Sequence, residues 1–276
     1  MVMGTIQIVV DNKAADGFVS EHGFALWLET DGRNILFDTG NKDALVPNSR
    51  MLGRDFSDLT ELVLSHGHYD HTGGIETVLQ ETTAVQVYLH QAAMQPRYVV
   101  KDGDSRPVRM SAGAMKSLWD LPEESIHWLT HPFHISGRVG ITGPISRLTD
   151  YEDTGGDFYY DPLGKRPDPI DDDNALWVHT PDGLVICVGC SHAGIVNTLE
   201  AIVEMSGERR IHTVVGGLHL LNASPERLQR TVDALNHFDI TRLVACHCTG
   251  DEACGFLENK VDCDVVQGYA GLTISF

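Results

Sequence analysis

Ser65-His66-Gly67-His68-Tyr69-Asp70-His71-Thr72-Gly73-Gly74 is the stretch of this chain that decides its fold. It follows the apolar run Leu62-Val63-Leu64 and precedes Ile75, Val78 and Leu79, which recur at helical spacing, so it reads as the turn between a buried strand and a helix. Three imidazoles and a carboxylate crowd into that turn. Imidazole nitrogen suits Zn, Fe and Mn, and a carboxylate adds a harder oxygen ligand, so His66, His68, Asp70 and His71 are candidate ligands for one or two divalent cations. The alternative, a polar loop with solvated histidines, does not account for such density. Gly67 keeps the turn slim between two ligands, and Gly73-Gly74 allows close backbone approach where the helix begins.

The same order of strand, Gly/His turn and helix recurs downstream. Leu184–Val188 runs into Gly189-Cys190-Ser191-His192-Ala193-Gly194, with Ile195, Leu199, Ile202 and Val203 at helical spacing beyond. Ile211–Val215 runs into Gly216-Gly217-Leu218-His219, after which Ser224-Pro225 supplies an N-cap and a first-turn proline. Leu243-Val244-Ala245 runs into Cys246-His247-Cys248-Thr249-Gly250 and a last helical stretch over Ala253–Leu257. Upstream, Phe24–Glu29 and Asn34–Phe37 flank Thr30-Asp31-Gly32-Arg33, a hairpin signal. Strands alternating with helices predict layered α/β architecture. Ligands bind such sheets at the carboxyl ends of strands, so His192, His219 and His247 are expected to converge on the first cluster. The remaining histidines, His22 among them, lack a strand-end setting and are expected to be surface or core residues.

Between about 92 and 173 the periodicity is poor and Gly, Pro and Asp abound, which predicts long loops with minor elements covering one edge of a single domain spanning 1–276. Within that stretch Asp171-Asp172-Asp173 lacks the glycine and distal glutamate of a calcium loop and reads as a solvated turn. Lys+Arg 20 against Asp+Glu 39 leaves a net charge of −19, which repels a phosphate backbone and excludes sequence-blind nucleic-acid binding. Met1–Val10 has no basic flank and its apolar run stops at Asp11, fitting neither a secretory signal nor a membrane span. The expectation is a cytoplasmic protein with a small-molecule substrate and no nucleic-acid or membrane partner, with homo-oligomerisation left open. All six cysteines fall after position 186 and are expected to be reduced thiols. A zinc-ribbon reading of Cys187/Cys190 with Cys246/Cys248 fails because Cys187, inside a strand, would point away from Cys190.

The His-x-His-x-Asp-His pattern of His66–His71 resembles the signature of the metallo-β-lactamase superfamily, and Asp38-Thr39-Gly40 after the hairpin resembles that family's first motif. Gly189–Asn197, Gly216–Leu220 and His247–Gly250 are similar to the branch of 7,8-dihydropterin-6-methyl-4-(β-D-ribofuranosyl)aminobenzene 5′-phosphate synthases. The likeness spans nearly the whole chain and is weakest over 92–167. It implies a four-layer αβ/βα sandwich, two sheets back to back with helices outside, and a site at one edge of the packed sheets. By motif, His66, His68 and His192 would hold one metal, and Asp70, His71 and His247 a second, with Zn expected and Fe or Mn as alternatives. In two places the chain departs from the pattern. Cys190 follows Gly189 where most members carry an aspartate bridging both metals, and the preceding hairpin offers Asp172, Asp173 and Asn174 where many place a histidine. His192 therefore stands in by position.

The resemblance implies a metal-dependent hydrolase that uses a metal-bound hydroxide on a phosphorylated or ester-type small molecule. Asp70 would be both ligand and orienter of that hydroxide, while His219 would complete a metal shell, donate a proton to the leaving group or contact substrate. A second reading is the branch's own reaction, in which a pterin carbon joins an arylamine as diphosphate departs. Arg147 or Lys165 of the variable segment would then be phosphate contacts. A third is a non-catalytic metal-binding sensor, against which the intact ligand set argues.

Overall fold

The computed structural model describes every residue except Met1, Val2 and Thr83. Two mixed seven-stranded sheets carry it. The first runs β17 (Thr273–Ser275), β1 (Gly4–Val10), β2 (Ala25–Thr30), β3 (Arg33–Phe37), β4 (Glu61–Val63), β5 (Gln86–Leu89) and β8 (Ile126–Trp128). The second runs β16 (Asp264–Gln267), β15 (Asp239–Cys246), β14 (Arg210–Gly217), β13 (Gly183–Val188), β12 (Ala175–Thr180), β10 (Val139–Ile141) and β9 (Phe133–His134). A small third sheet is built from β11 (Phe158–Tyr159), β6 (Tyr98–Lys101) and β7 (Asp104–Pro107). The helices are α1 (Leu45–Met51), α2 (Tyr69–Thr72), α3 (Ile75–Glu81), α4 (Ala112–Trp119), α5 (Ile195–Ser206), α6 (Pro225–Leu235) and α7 (Asp251–Glu258).

Alternation along the strands sorts side chains into three apolar layers. On β13, Val185 and Cys187 pack with Ile6, Leu26, Ile35 and Val63 of the first sheet, filling the space between the sheets. Leu184, Ile186 and Val188 of the same strand face outward onto Ile195, Leu199 and Ile202 of α5, Val232 and Leu235 of α6, and Leu257 of α7. The outer face of the first sheet, with Trp27, Leu36, Leu62 and Val87, is covered by Leu45 of α1, Ile75 and Val78 of α3, and Ala114 and Leu118 of α4. Helix, sheet, sheet, helix is the expected four-layer order. A fully buried Leu, Ile or Val contributes roughly 1.5–3 kcal/mol, so these layers need no staple, and all six cysteines are free thiols.

Local sequence signals take the expected conformations. Asp31 (φ 54°) and Gly32 (φ 71°) both take the left-handed conformation that a two-residue hairpin turn between β2 and β3 requires. Ser224 caps α6 by accepting the Arg227 N–H, with Pro225 in the first turn. β1 accounts for Gly4–Val10 of the opening run, of which Met1 and Val2 lie outside the described residues. No helix among the described residues is long and apolar enough to cross a membrane.

The segment from 92 to 173 is more structured than its periodicity predicts. β8 extends the first sheet beside β5, β9 and β10 extend the second beside β12, and α4 buries Ala114 and Leu118 against the first sheet's outer face. Only β6, β7 and β11 stand apart from the sandwich as a cover. Their strands have few buried side chains to impose a period of two, which is why the alternation was not legible.

Five strands deliver the site. Asp38 follows β3, the His66–His71 turn follows β4, and Cys190 and His192 follow β13, while His219 follows β14 and His247 follows β15. Asp38, Ser191, His219 and His247 have φ between 48° and 61°, a left-handed conformation that costs a residue bearing a Cβ of order 1–3 kcal/mol and clusters at functional sites. Gly73 has an ordinary φ but an indispensable lack of side chain, since a Cβ there would lie 1.4 Å from the Asn41 carbonyl oxygen. That contact presses the ligand-bearing turn against the segment after β3.

Candidate metal centre

His66, His68 and His192 are buried, and their ring centroids lie 4.6–4.9 Å from one another. His66 Nε2 is 2.9 Å from His68 Nδ1, and one ligand atom from each of the three residues falls within 4.8 Å of the others. Burial, reinforced by the neighbouring imidazoles and, for His66 and His68, by Arg97, pulls all three well below the ordinary histidine range, so they are neutral and offer lone pairs. Other atoms fix which nitrogen faces inward. His192 Nδ1 donates to the Thr154 carbonyl at 2.8 Å, leaving its buried Nε2 without a protein partner. His66 Nδ1 is 2.8 Å from Ser65 Oγ, which itself donates to Asp38 Oδ2 at 2.6 Å.

Asp38 is the hub of this outer layer. Beyond the Ser65 hydroxyl it accepts the Ser65 N–H at 2.7 Å and His71 Nδ1 at 2.7 Å, all fully buried. Burial alone would lower His71, but the Asp38 carboxylate overrides it and carries His71 up to about 9. The pairing turns His71 Nε2 inward, 3.1 Å from Cys190 Sγ and 3.3 Å from His247 Nε2. His247 is oriented the same way, its Nδ1 2.9 Å from Asn12 Oδ1. A histidine ligand whose outer nitrogen is tied to a carboxylate, carbonyl or amide is pre-aimed at a metal. The partnerless inward nitrogens His68 Nε2 and His192 Nε2, set among the neutral imidazoles of His66, His68 and His192, are what a divalent cation requires, so these three residues fit one.

Asp70 Oδ2 is 3.5 Å from His247 Nε2 and 3.1 Å from His22 Nε2. Burial would raise Asp70, but His22 and His247 reverse that and hold it well below the carboxylate range, hence ionised. His22, expected to be a surface or core residue, is thus a member of the site: its side chain is 56% exposed yet completes a close group with Asp70 and His247. It lies in the irregular connection between β1 and β2, where no strand end announced it. Cys190 sits where three groups meet, one with His66 and His71, one with His192 and His219, one with His247 and Cys248. His219 is 4.4 Å from His192 between ring centroids, and burial pulls it down to about 4. It enters the site neutral, which suits a ligand or substrate contact better than a cationic acid.

Three further expectations are corrected. Arg147 does not face the cleft: its guanidinium donates to the carbonyls of His192 at 2.5 Å and Pro169 at 2.6 Å, so it braces the loop carrying His192. Lys165 is exposed on the Asp161–Arg166 turn, away from the cleft lining. The run Asp171-Asp172-Asp173 is not solvated beyond its first residue. Asp172 accepts the Gly67 N–H at 2.7 Å and pairs with the fully buried Arg97, while Asp173 accepts the Ala193 N–H at 2.7 Å. Partners more than a hundred residues away in the case of Gly67 make a charged run a buried floor.

Behind His247, Asp11 accepts its backbone N–H with both oxygens at 3.1 Å. Burial pushes the Asp11 carboxyl up from 3.8 to about 7, against the pull of the backbone N–H groups of His247, Asn12 and Lys13. The folded state then binds more protons than the unfolded one between these values. Stability is full below the ordinary carboxylate range and lost as pH rises toward 7. Asp11→Asn keeps an acceptor and cannot ionise. In urea denaturation of the metal-stripped protein it should match the parent near pH 4 and exceed it near pH 8, by on the order of 4 kcal/mol; a variant weaker at both would refute the argument.

A cleft of about 340 Å³ opens over the cluster, bounded by Asn12, His22, Asp70 and His219 on the sandwich side and by Val99, Arg106 and Phe158 on the small sheet. Phe158 lies over His68 and His192, with centroids 4.8 and 5.4 Å away.

A family model described as the Metallo-beta-lactamase superfamily matches residues 21–200. The chain is 26% identical over 271 residues to the 7,8-dihydropterin-6-methyl-4-(beta-D-ribofuranosyl)-aminobenzene-5'-phosphate synthase of Methanocaldococcus jannaschii, covering 94% of this chain and 91% of that protein. It is 31% identical over 250 residues to the uncharacterized protein MJ0448 of the same organism, covering 90% and 91%. Among solved structures, Tm1679, a metal-dependent hydrolase of the beta-lactamase superfamily, superposes with a TM-score of 0.85 at 31% identity over 99% of both chains. The chain belongs to the metallo-β-lactamase superfamily.

Proposed function

We propose that the protein is a metal-dependent hydrolase of a phosphorylated or ester-type small molecule. The observation that carries this reading is the convergence of His66, His68 and His192 as neutral imidazoles, two of whose buried nitrogens, His68 Nε2 and His192 Nε2, have no protein partner, beside the ionised Asp70. Those three residues would hold one cation, and Asp70 with His247 and either His71 or His22 a second. A divalent cation bound there would bring the pKa of a water near neutrality and polarise a substrate oxygen.

The chain's own groups do the rest. Asp70, kept anionic by His22 and His247, accepts a hydrogen bond from the attacking water and aims its lone pair at the substrate. His219, neutral, holds a substrate or leaving-group oxygen by hydrogen bond. Phe158 caps His68 and His192 and keeps bulk water from that side. Asp38 and Asn12 fix the imidazoles behind them and cost no reorganisation on turnover. The naming of Tm1679 as a metal-dependent hydrolase supports the class.

Exhaustive chelation should lower turnover on a panel of phosphodiesters, phosphomonoesters, lactones and thioesters by about a hundredfold or more, with recovery on adding Zn, Mn or Fe. Unchanged turnover after metal removal would refute the proposal.

A second reading has its own support, because the likeness to the synthase-named relative runs along 94% of the chain. Under it, the same centre joins a pterin carbon to an arylamine with loss of diphosphate. Incubation with the pterin diphosphate and the arylamine should then give a coupled product by mass; diphosphate release with water as sole acceptor would count against it.

A further inference from the structure

The small sheet over the site has two faces, and only one of them looks into the cleft. In its register Phe158 pairs with Val99 and Val99 with Arg106, so Phe158, Val99 and Arg106 form one row across three strands. Two positions along, Lys101 lies on the same face as Val99, and Val108 on the same face as Arg106. All five line the cleft. Adjacent strands are roughly 4.8 Å apart, so the row steps outward from Phe158, which covers His68 and His192, through an apolar step at Val99, to Arg106 about 10 Å from the start.

The charges on this face are unusual for the molecule. The protein carries a net −19, yet among the described residues Lys101 and Arg106 are the only lysine and arginine side chains lining the cleft, and neither is in an ion pair. Both are exposed at its mouth. Of the two carboxylates lining the cleft, Asp70 is already engaged by His22 and His247, and Asp157 sits on the opposite strand segment from Arg106. Half-buried Tyr69 lines the same end, its phenol hydrogen-bonded to Arg106. A guanidinium, an ammonium and a phenol hydroxyl grouped at one end of a passage with apolar walls make a receptor for an anionic group.

We propose that Lys101 and Arg106, on the hairpin β6–β7, bind an anionic group of the substrate, foremost a phosphate dianion, at the end remote from the bond that reacts at the histidine cluster. The proposal rests on the reading of the cluster as the reacting centre. It assigns the substrate class as a small molecule with an apolar body spanning Phe158, Val99 and Val108 and a terminal anion. It also replaces Arg147, whose guanidinium braces the loop carrying His192, and Lys165, which lies outside the cleft lining.

The test is calorimetric titration of the zinc-loaded full chain at low salt with phenyl phosphate, benzoate and benzyl alcohol as probes. Phenyl phosphate should bind best and benzyl alcohol worst. Lys101→Met with Arg106→Gln should weaken phenyl phosphate about tenfold or more and flatten its salt dependence, with Arg106→Lys alone intermediate. Lys165→Met, on the neighbouring exposed turn, should leave it unchanged. Circular dichroism and zinc content establish that each variant is folded and loaded. Equal binding of phenyl phosphate by parent and double variant would overturn the proposal, and so would benzyl alcohol binding as tightly as phenyl phosphate. Because the readout is binding, failure of the hydrolase reading shows separately, as absence of turnover in a protein that still discriminates the probes.

Discussion

His66→Ala combined with His68→Ala is expected to lower turnover by about a thousandfold or more, some 4 kcal/mol of barrier, and to reduce bound metal in elemental analysis. Two of the three converging nitrogens disappear, and His192 alone, tied through Nδ1 to the Thr154 carbonyl, cannot hold a cation. Asp38→Asn is the informative companion. It deletes no ligand but weakens the acceptor shared by Ser65 and His71, so metal affinity should fall by roughly 10–100-fold with the ligand set intact. Parent-like metal content and turnover in the double alanine variant would remove the histidine cluster from the mechanism. A ranking in which Asp38→Asn is the more damaging of the two would make Asp38 a structural post rather than an orienting one.

What the sequence made legible was whatever depends on local order. His66, His68, Asp70 and His71 are four positions of one turn, and His192, His219 and His247 each follow an apolar strand, so their convergence follows from how parallel strands align their carboxyl ends. Asp38 was marked by its place after a hairpin, although its role as acceptor for two elements became evident only from their packing. His22 was missed because the stretch from Asp11 to Gly23 has neither periodicity nor a strand to point it. The burial of Asp172 is not legible locally, because charge density argues for solvent unless a counter-charge is buried beside it, and that counter-charge, Arg97, lies 75 residues away. The role of Arg147 is hidden for the converse reason: a cation in a loop near a site has carbonyls to satisfy as well as substrates. Cys190 is where the chain departs from the pattern that the resemblance implies. Where most of the family has a bridging carboxylate, this chain places a thiol that burial and Cys248 push up, 3.1 Å from His71 Nε2.

Arg97→Met should be the costliest single change for the fold, about 3–5 kcal/mol in urea denaturation. Arg97 is fully buried, as are Asp172 and Asp168 on either side. Its Nη1 donates to Asp172 Oδ2 at 2.9 Å, its Nη2 to Asp172 Oδ1, and its Nε lies 2.7 Å from Asp168 Oδ2, a charge contact without hydrogen-bond alignment. Burial opposes the guanidinium charge, and the two carboxylates more than restore it. Methionine fills much of the volume but leaves both carboxylates in a low-dielectric interior, where an unpaired ion costs more than the pair contributes. Adding Asp172→Asn to Arg97→Met should therefore recover part of the loss, because one orphaned charge goes with it. The effect should reach the metal centre as well. Asp172 accepts the N–H of Gly67, between His66 and His68, and Arg97 immediately precedes the strand that carries Lys101, so the pair ties the cover to the ligand turn. Metal affinity should fall in Arg97→Met even below the unfolding transition. A loss under about 1 kcal/mol, or one that Asp172→Asn deepens, would mean that water reaches this network and that the cover is anchored elsewhere.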